Sequence, residues 1–143
     1  MVDLNRDAQL LQAMELFFFG YREFTSRADQ VLAERGLGRV HHRILYSVGR
    51  QPGGSVNALL EILQVSKQAL NGPLRELVER GLVDSRVAEH DRRVRCLHLT
   101  AEGQALEDQL SGIQMAHLQR VFQAAGPAAE AGWHKVMALV PLI

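Results

Sequence analysis

Residues 55–99 read SVNALLEILQVSKQALNGPLRELVERGLVDSRVAEHDRRVRCLHL. Two short apolar-periodic stretches stand here, separated by Gln64-Val65, and each opens on a serine whose hydroxyl can cap the first free backbone N–H groups of a helix. The spacing predicts one helix over residues 56–63, with Leu59, Leu60, Ile62 and Leu63 inward. It predicts a second over about 67–80, with Leu70, Leu74, Leu77 and Val78 inward, ended by Gly81, whose freedom at positive φ suits a helix stop. The period then changes from 3.6 to 2. Residues 82–88 and 94–99 alternate as strands, and Glu89-His90-Asp91-Arg92-Arg93 between them is a polar hairpin tip.

Two short helices joined tightly, followed at once by a hairpin, describe a helix-turn-helix with a wing. The first helix braces the second, which presents a narrow polar face. Ser66, Lys67, Gln68, Asn71 and Arg75 form that face. Amides such as Gln68 and Asn71 match the donor–acceptor pair of adenine, and Lys67 and Arg75 match guanine or phosphate. Arg92, Arg93 and Arg95 crowd the hairpin tip, where cations reach the minor groove or grip phosphates. Asp91 is placed to pair with Arg93 and set its direction. Double-stranded DNA is the partner this arrangement fits.

Working outward, a long helix is expected over 7–34. Its apolar residues Leu10, Met14, Phe17, Tyr21, Phe24, Ala28 and Val31 step by four and three, a heptad seam widened by Leu11, Phe18 and Leu32. At about 40 Å it outruns what the middle of the chain can cover, which points to a second subunit and a homodimer. Gly36-Leu37-Gly38 ends it. A helix over 39–50 follows, with Val40, Ile44, Leu45 and Val48 inward, then the turn Gln51-Pro52-Gly53-Gly54. Beyond the hairpin, Thr100 caps a helix carrying Leu106, Leu110, Ile113, Leu118, Val121 and Phe122. Gly126-Pro127 breaks it before a last helix over about 128–140 with Trp133, Val136, Met137 and Val140. The expected fold class is mostly α with a small β-hairpin: residues 36–99 form the winged helix-turn-helix lobe, and 1–35 with 100–143 the helical dimerisation region.

The chain has 143 residues, 47% of them apolar, and zero net charge. The charge is unevenly placed. Residues 1–34 hold three basic and six acidic side chains, a net of −3; residues 35–99 hold eleven and six, a net of +5; residues 100–143 hold two and four, a net of −2. A basic middle on acidic flanks suits a polyanion reader on a neutral scaffold. No apolar run approaches the roughly 18 residues of a membrane helix. The opening Met1-Val2-Asp3-Leu4-Asn5-Arg6-Asp7 lacks the pattern of a secretory leader. One cysteine, Cys96, excludes an internal disulfide and fits the reducing bacterial cytoplasm.

The run Asp91-Arg92-Arg93-Val94-Arg95-Cys96-Leu97-His98-Leu99-Thr100-Ala101-Glu102-Gly103 resembles the wing-to-helix segment of the MarR family: an Asp-x-Arg wing tip, a Leu-Thr strand end and a Glu-Gly opening the dimerisation helix. Leu77-Val78-Glu79-Arg80-Gly81-Leu82-Val83 resembles the end of that family's recognition helix. The resemblance implies a dimer built from the first and last two helices, a palindromic operator read by two recognition helices one DNA turn apart, and, in many members, a repressor released by a small aromatic ligand. Two features depart from it. Gly72-Pro73 lies inside the recognition helix, where proline removes a backbone bond and a kink near Asn71 is expected. Gln64 stands where many such turns carry glycine.

Other groupings weigh less. Tyr21, Phe24, His42 and Tyr46 are candidates for an aromatic ligand pocket if the first and second helices pack together, although each taken singly reads more readily as an ordinary core residue. His41 and His42 diverge by about 100° on a helix and do not readily share a metal, so no metal or cofactor is expected, although either can line a ligand crevice. His90 in the wing suits phosphate. No glycine-rich phosphate loop, Gly-x-Ser-x-Gly elbow or His-Glu-x-x-His is present, which argues against an enzyme. Two alternative readings stand beside the DNA-binding one: a winged-helix protein-interaction module, and a regulator sensing redox state through Cys96.

Overall fold

The chain's computed structural model describes residues 4–143, so Met1-Val2-Asp3 of the N-terminal stretch lie outside the described residues. The element order is α1 (Leu4–Glu34), α2 (Arg39–Arg50), α3 (Val56–Leu63), α4 (Lys67–Glu79), β1 (Val83–Val87), β2 (Arg95–Leu99), α5 (Ala101–Ala125) and α6 (Pro127–Leu139). The expected class, helical with one hairpin, is what the chain adopts.

The local chemistry explains the boundaries. Gly36, at φ 69°, ends α1 in a left-handed cap in which Leu37 N–H bonds Leu32 C=O and Gly36 N–H bonds Ala33 C=O. Gly81, at φ 73°, repeats the motif after α4: Leu82 N–H bonds Leu77 C=O and Gly81 N–H bonds Val78 C=O. Both caps place a buried leucine pair, Leu32 with Leu37 and Leu77 with Leu82, where such caps carry their apolar contact. Ser55 Oγ accepts from Ala58 N–H at 3.0 Å and Ser66 Oγ from Ala69 N–H at 3.1 Å, the two N-caps read from sequence. Gly126 at φ 97° followed by Pro127 at the first helical position separates α5 from α6.

β1 and β2 pair antiparallel, Val83 opposite Leu99 and Val87 opposite Arg95. The turn before α3 adds a short third edge, since Gly53 N–H bonds Leu97 C=O, Leu97 N–H bonds Gly54 C=O, and Ser55 bridges Cys96. The strands are shorter than their alternating stretches. Leu82 is consumed by the helix cap, while Ala88 and Val94 meet only through one bond at the tip.

The chain divides into two compact units. One is Ser26–Ser111; the other is the described residues up to Thr25 together with Gly112–Ile143. The division falls inside α1 and α5, so the first unit includes the last turns of α1 and the first turns of α5. Its core is Leu32, Ile44, Leu45, Leu70, Leu77, Val83, Leu97, Leu106 and Leu110, all essentially inaccessible. Two residues expected inward are not: Ile62 is 48% exposed and Val78 37%. Each helix packs along one narrow side, and these residues sit at its edge, Ile62 on the rim of a shallow depression shared with Ser47, Gln51 and Leu97. In the second unit Phe24 stacks on His117 and Phe122 meets Trp133 edge-on, while most of the heptad seam on α1 stays exposed.

The start of α5 is fixed by a close approach. Thr100 N–H bonds Leu82 C=O at 3.1 Å, Thr100 Oγ donates to Gly81 C=O and accepts from Gly103 N–H at 3.0 Å. A Cβ at Gly103 would lie 1.9 Å from the Leu82 oxygen. Gly103→Ala is therefore expected to cost about 3 kcal/mol or more, read as a lowered urea midpoint; a midpoint within error of the parent would show that α5 can withdraw freely from Leu82.

Candidate nucleic-acid interface

The bend between α3 and α4 determines how the second helix is presented. Gln64 adopts φ 53°, ψ 44°, the left-handed conformation usual for glycine at this place. Its N–H bonds Leu60 C=O, closing α3 before Ser66 opens α4. The turn therefore has the expected geometry with an unusual residue in it. Leu70 and Leu77 are fully buried and Leu74 packs partly against the same core. Ser66, Lys67, Gln68, Asn71 and Arg75 are all exposed. Lys67, Asn71 and Arg75 recur every four residues and so form one ridge, with Gln68 beside it. The Ser66 hydroxyl is engaged as the cap, leaving its proton free to donate.

α4 is continuous through Pro73. Proline cannot donate to the Ala69 carbonyl, and its ring crowds the preceding residue's Cβ. Gly72 has no Cβ, and one built there would meet nothing within 4 Å beyond its chain neighbours. The glycine thus answers the proline next to it, not a distant packing partner.

At the wing, Arg93 is tied to Asp91 three times: backbone N–H to Oδ1 at 3.0 Å, Nε to Oδ1 at 3.2 Å and Nη2 to Oδ2 at 3.3 Å. The Arg93 side chain is nevertheless 91% exposed. These bonds hold the Asp91 carboxyl below its ordinary range, so the restraint persists unless pH falls well into the acid range. Arg92, Arg93 and Arg95 are all exposed, as is His90. The aspartate leaves the guanidinium directed and solvent-facing, suited to meeting a phosphate or the walls of a groove. Arg86, opposite Cys96 on β1, pairs with Asp84 at 2.6 Å.

Sequence reasoning missed several supporting contacts. Arg80 donates to the Arg35 carbonyl at the end of α1, 45 residues away, with no local pattern to announce it. His41, at the third position of α2, accepts the Gly38 N–H on Nδ1 at 3.0 Å and aims Nε2 at Glu76 of α4, 3.6 Å away. It acts as a cap for α2 and a brace toward α4. Glu107 is buried on α5; its place in the stripe Gly103, Leu106, Leu110 was a legible signal.

The four aromatic-pocket candidates fall in different units: Tyr21 and Phe24 in one, His42 and Tyr46 in the other. Tyr21 and Tyr46 are exposed, Phe24 stacks on His117, Arg50 lies 5.9 Å over the Tyr46 ring, and His42 faces Glu107. Cys96 is half-buried and unbonded to another cysteine. Among the described residues no group of three His, Cys, Asp or Glu side chains is arranged to hold a metal, and no helix is long and apolar enough to cross a membrane.

Comparison with known proteins bears directly on this interface. The MarR family profile matches residues 35–94, the stretch from the end of α1 to the wing tip. The HTH-type transcriptional regulator PetP of Rhodobacter capsulatus is 44% identical over 131 residues, covering 92% of this chain and 79% of PetP. This chain belongs to the MarR family. Solved MarR-type folds superimpose along nearly its whole length. MarR family transcription regulator SP03579 gives a TM-score of 0.80 at 24% identity, covering 96% of this chain and 91% of that one. Streptococcus pneumoniae FabT, solved in complex with DNA, gives 0.76 at 18% identity, covering 98% and 96%. In MarR terms, α3 and α4 are the helix-turn-helix, β1 and β2 the wing, and the Thr100–Gly103 clamp is the physical content of the Leu-Thr and Glu-Gly elements.

Proposed function

We propose that this MarR family protein is a sequence-specific DNA-binding transcriptional regulator, acting as a homodimeric, ligand-responsive repressor on a palindromic operator. The observation that carries the reading is the pairing of an exposed, aspartate-directed Arg93 at the wing tip with an exposed Lys67–Asn71–Arg75 ridge on the capped helix after a tight turn. The two are consecutive parts of one small unit and share one sign of charge. The naming of PetP as a transcriptional regulator and the solution of FabT with DNA support it. Gln68 and Asn71 are assigned to bases, Lys67 and Arg75 to bases or phosphates, Ser66 to phosphate, and Arg92, Arg93 and Arg95 to wing contacts.

The dimer part of the reading rests on α1. Leu10, Leu11, Met14, Phe17, Phe18 and Tyr21 are all exposed on one protomer, Phe18 at 69%, and so are Val136, Val140 and Leu142 near the C-terminus. An apolar surface of this extent on a free monomer is an association liability, and a second copy with the same seam covers it by two-fold symmetry.

Selection of the purified protein on randomised duplex DNA at physiological salt should return an inverted repeat with half-sites about one helical turn apart. Weak, salt-sensitive binding without a motif would instead favour a protein-interaction winged helix. On the selected site, Arg93→Ala should weaken binding to all sequences and flatten the salt dependence by about one per half-site; unchanged affinity would remove Arg93 from the contact. Asn71→Ala should relax preference at one position per half-site, worth about 1–3 kcal/mol, and a uniform loss across sequences would deny it a reading role. Phe18→Glu should convert the dimer to monomer by light scattering; a persisting dimer would place the interface elsewhere.

A further inference from the structure

The Ser26–Ser111 unit contains a buried carboxylate that the DNA reading does not use. Glu107 is 7% exposed and lies on α5 among Gly103, Leu106 and Leu110. Its Oε1 accepts the Ser111 hydroxyl one turn on, and its Oε2 has no hydrogen-bond partner. Facing Oε2 at 3.9 Å is Nε2 of His42 on α2, itself largely enclosed. Among the described residues no lysine or arginine lies within ion-pair distance of Glu107.

We propose that Glu107 and His42 form a single proton-binding site, a latch that joins α2 to α5 when the protein is mildly acidified. In the unprotonated state the pair carries one negative charge, on a carboxylate shut away from water and short of a partner, a costly arrangement. One proton from solvent, shared between Oε2 and Nε2, brings the pair to net neutrality and supplies the missing hydrogen bond. Forming it draws the two atoms together by about 1 Å, to an ordinary hydrogen-bond length.

The surroundings favour a proton on the carboxylate and oppose one on the imidazole. Burial pushes the Glu107 carboxyl up from its ordinary value, the Ser111 hydrogen bond works against this, and the negative charge of the neighbouring Asp108 adds to the upward push. Burial pushes His42 down, and Asp29 on α1 pulls it back up. Asp29 is itself paired with Arg39 at 2.8 Å, and Asp108 takes a bond from Gln104. Glu76 of α4 lies beside His41, on a different side of α2, and pairs with Arg80 at the helix's C-cap. Adjacent histidines diverging around one helix thus face different elements: His41 the recognition helix, His42 the helix leading out of the unit. The latch bears on the bracing of α4 through α2 without touching the DNA-facing side chains.

The test uses the whole protein and does not depend on DNA binding. The imidazole of His42 is titrated by NMR in the parent and in Glu107→Gln. With the carboxylate gone, the His42 midpoint should fall by about one pH unit or more. Thermal unfolding gives a second readout. A carboxyl raised in the folded state contributes stability below the unfolded Glu value and loses it as pH rises through the folded value. Glu107→Gln is therefore expected to gain in Tm over the parent from about pH 4.5 to 8, the advantage growing toward neutral. An unmoved His42 midpoint, or parallel Tm curves, would overturn the proposal. If Glu107→Gln does not fold, His42→Gln reads the same coupling from the other side: the Glu107 carboxyl should then titrate higher than in the parent, and an unchanged value would be equally fatal.

Discussion

The carbonyl oxygen of Leu82 occupies the space where a side chain on residue 103 would stand. Four elements converge on that atom's neighbourhood. α4 ends there in the Gly81 cap, β1 departs from it, β2 returns to Thr100, and α5 begins by bonding back to it. The recognition helix, the wing and the helix leading out of the unit are thereby indexed to one another by bonds of the main chain and of the Thr100 hydroxyl among Gly81, Leu82, Thr100 and Gly103, not by loops that can drift. The base of the wing cannot be moved relative to α4 without breaking this junction. That rigidity is what lets a small basic hairpin act together with a helix in presenting one surface.

Much of this was legible in the sequence because it is local. The bounds of α2 and α3 follow from Gly38, Gln51, Ser55 and Leu63, and the Asp91–Arg93 restraint spans two residues. The inner stripes were legible too, Ile44, Leu45, Val48, Leu59, Leu70 and Leu77 all being buried as their spacing predicts; what escaped was the width of those stripes and the contacts between residues distant in sequence. Ile62 and Val78 match the apolar period but lie at the edge of a packing strip narrower than the pattern suggests. The Arg80 bond to the Arg35 carbonyl joins two helix ends far apart in sequence. The same guanidinium lies beside the left-handed Gly36, so the ends of α1 and α4 are sealed at one place. No periodicity encodes such a contact, because the donor is a surface-type residue and the acceptor a main-chain atom.

The charge layout has a corresponding logic. Zero net charge averages a basic middle against acidic flanks, and charges beyond about 8–10 Å are largely screened at physiological salt. A neutral total therefore does not weaken a local basic face. Several arginines of the middle segment have partners within the chain while still meeting solvent: Arg39 pairs with Asp29, Arg86 with Asp84, and Arg80 with Glu76 and the Arg35 carbonyl. Those of the ridge and tip are left to solvent. Arg93 is the intermediate case, bound to Asp91 yet almost wholly exposed, which fixes its direction without consuming its accessible face.

The costs in this fold gather beside the same interface. Gln64 in a left-handed conformation is disfavoured by about 1–2 kcal/mol, and a proline within a helix by about 3 kcal/mol. Gly72 removes the clash that a Cβ would make with the proline ring but adds backbone freedom to be lost on folding. Elsewhere the chain obeys local preference: serines and a threonine at caps, glycines at positive φ, leucines on the inner stripes. Departures concentrated on the turn and helix that carry the polar ridge, and absent from the bracing helix α2, are expected where presentation outweighs stability. The buried leucines of α4 offset them, since Leu70 and Leu77 anchor the helix on either side of the proline. The ridge is thus held by its inner face, and the helix stays continuous through the proline while Asn71 and Arg75 remain exposed.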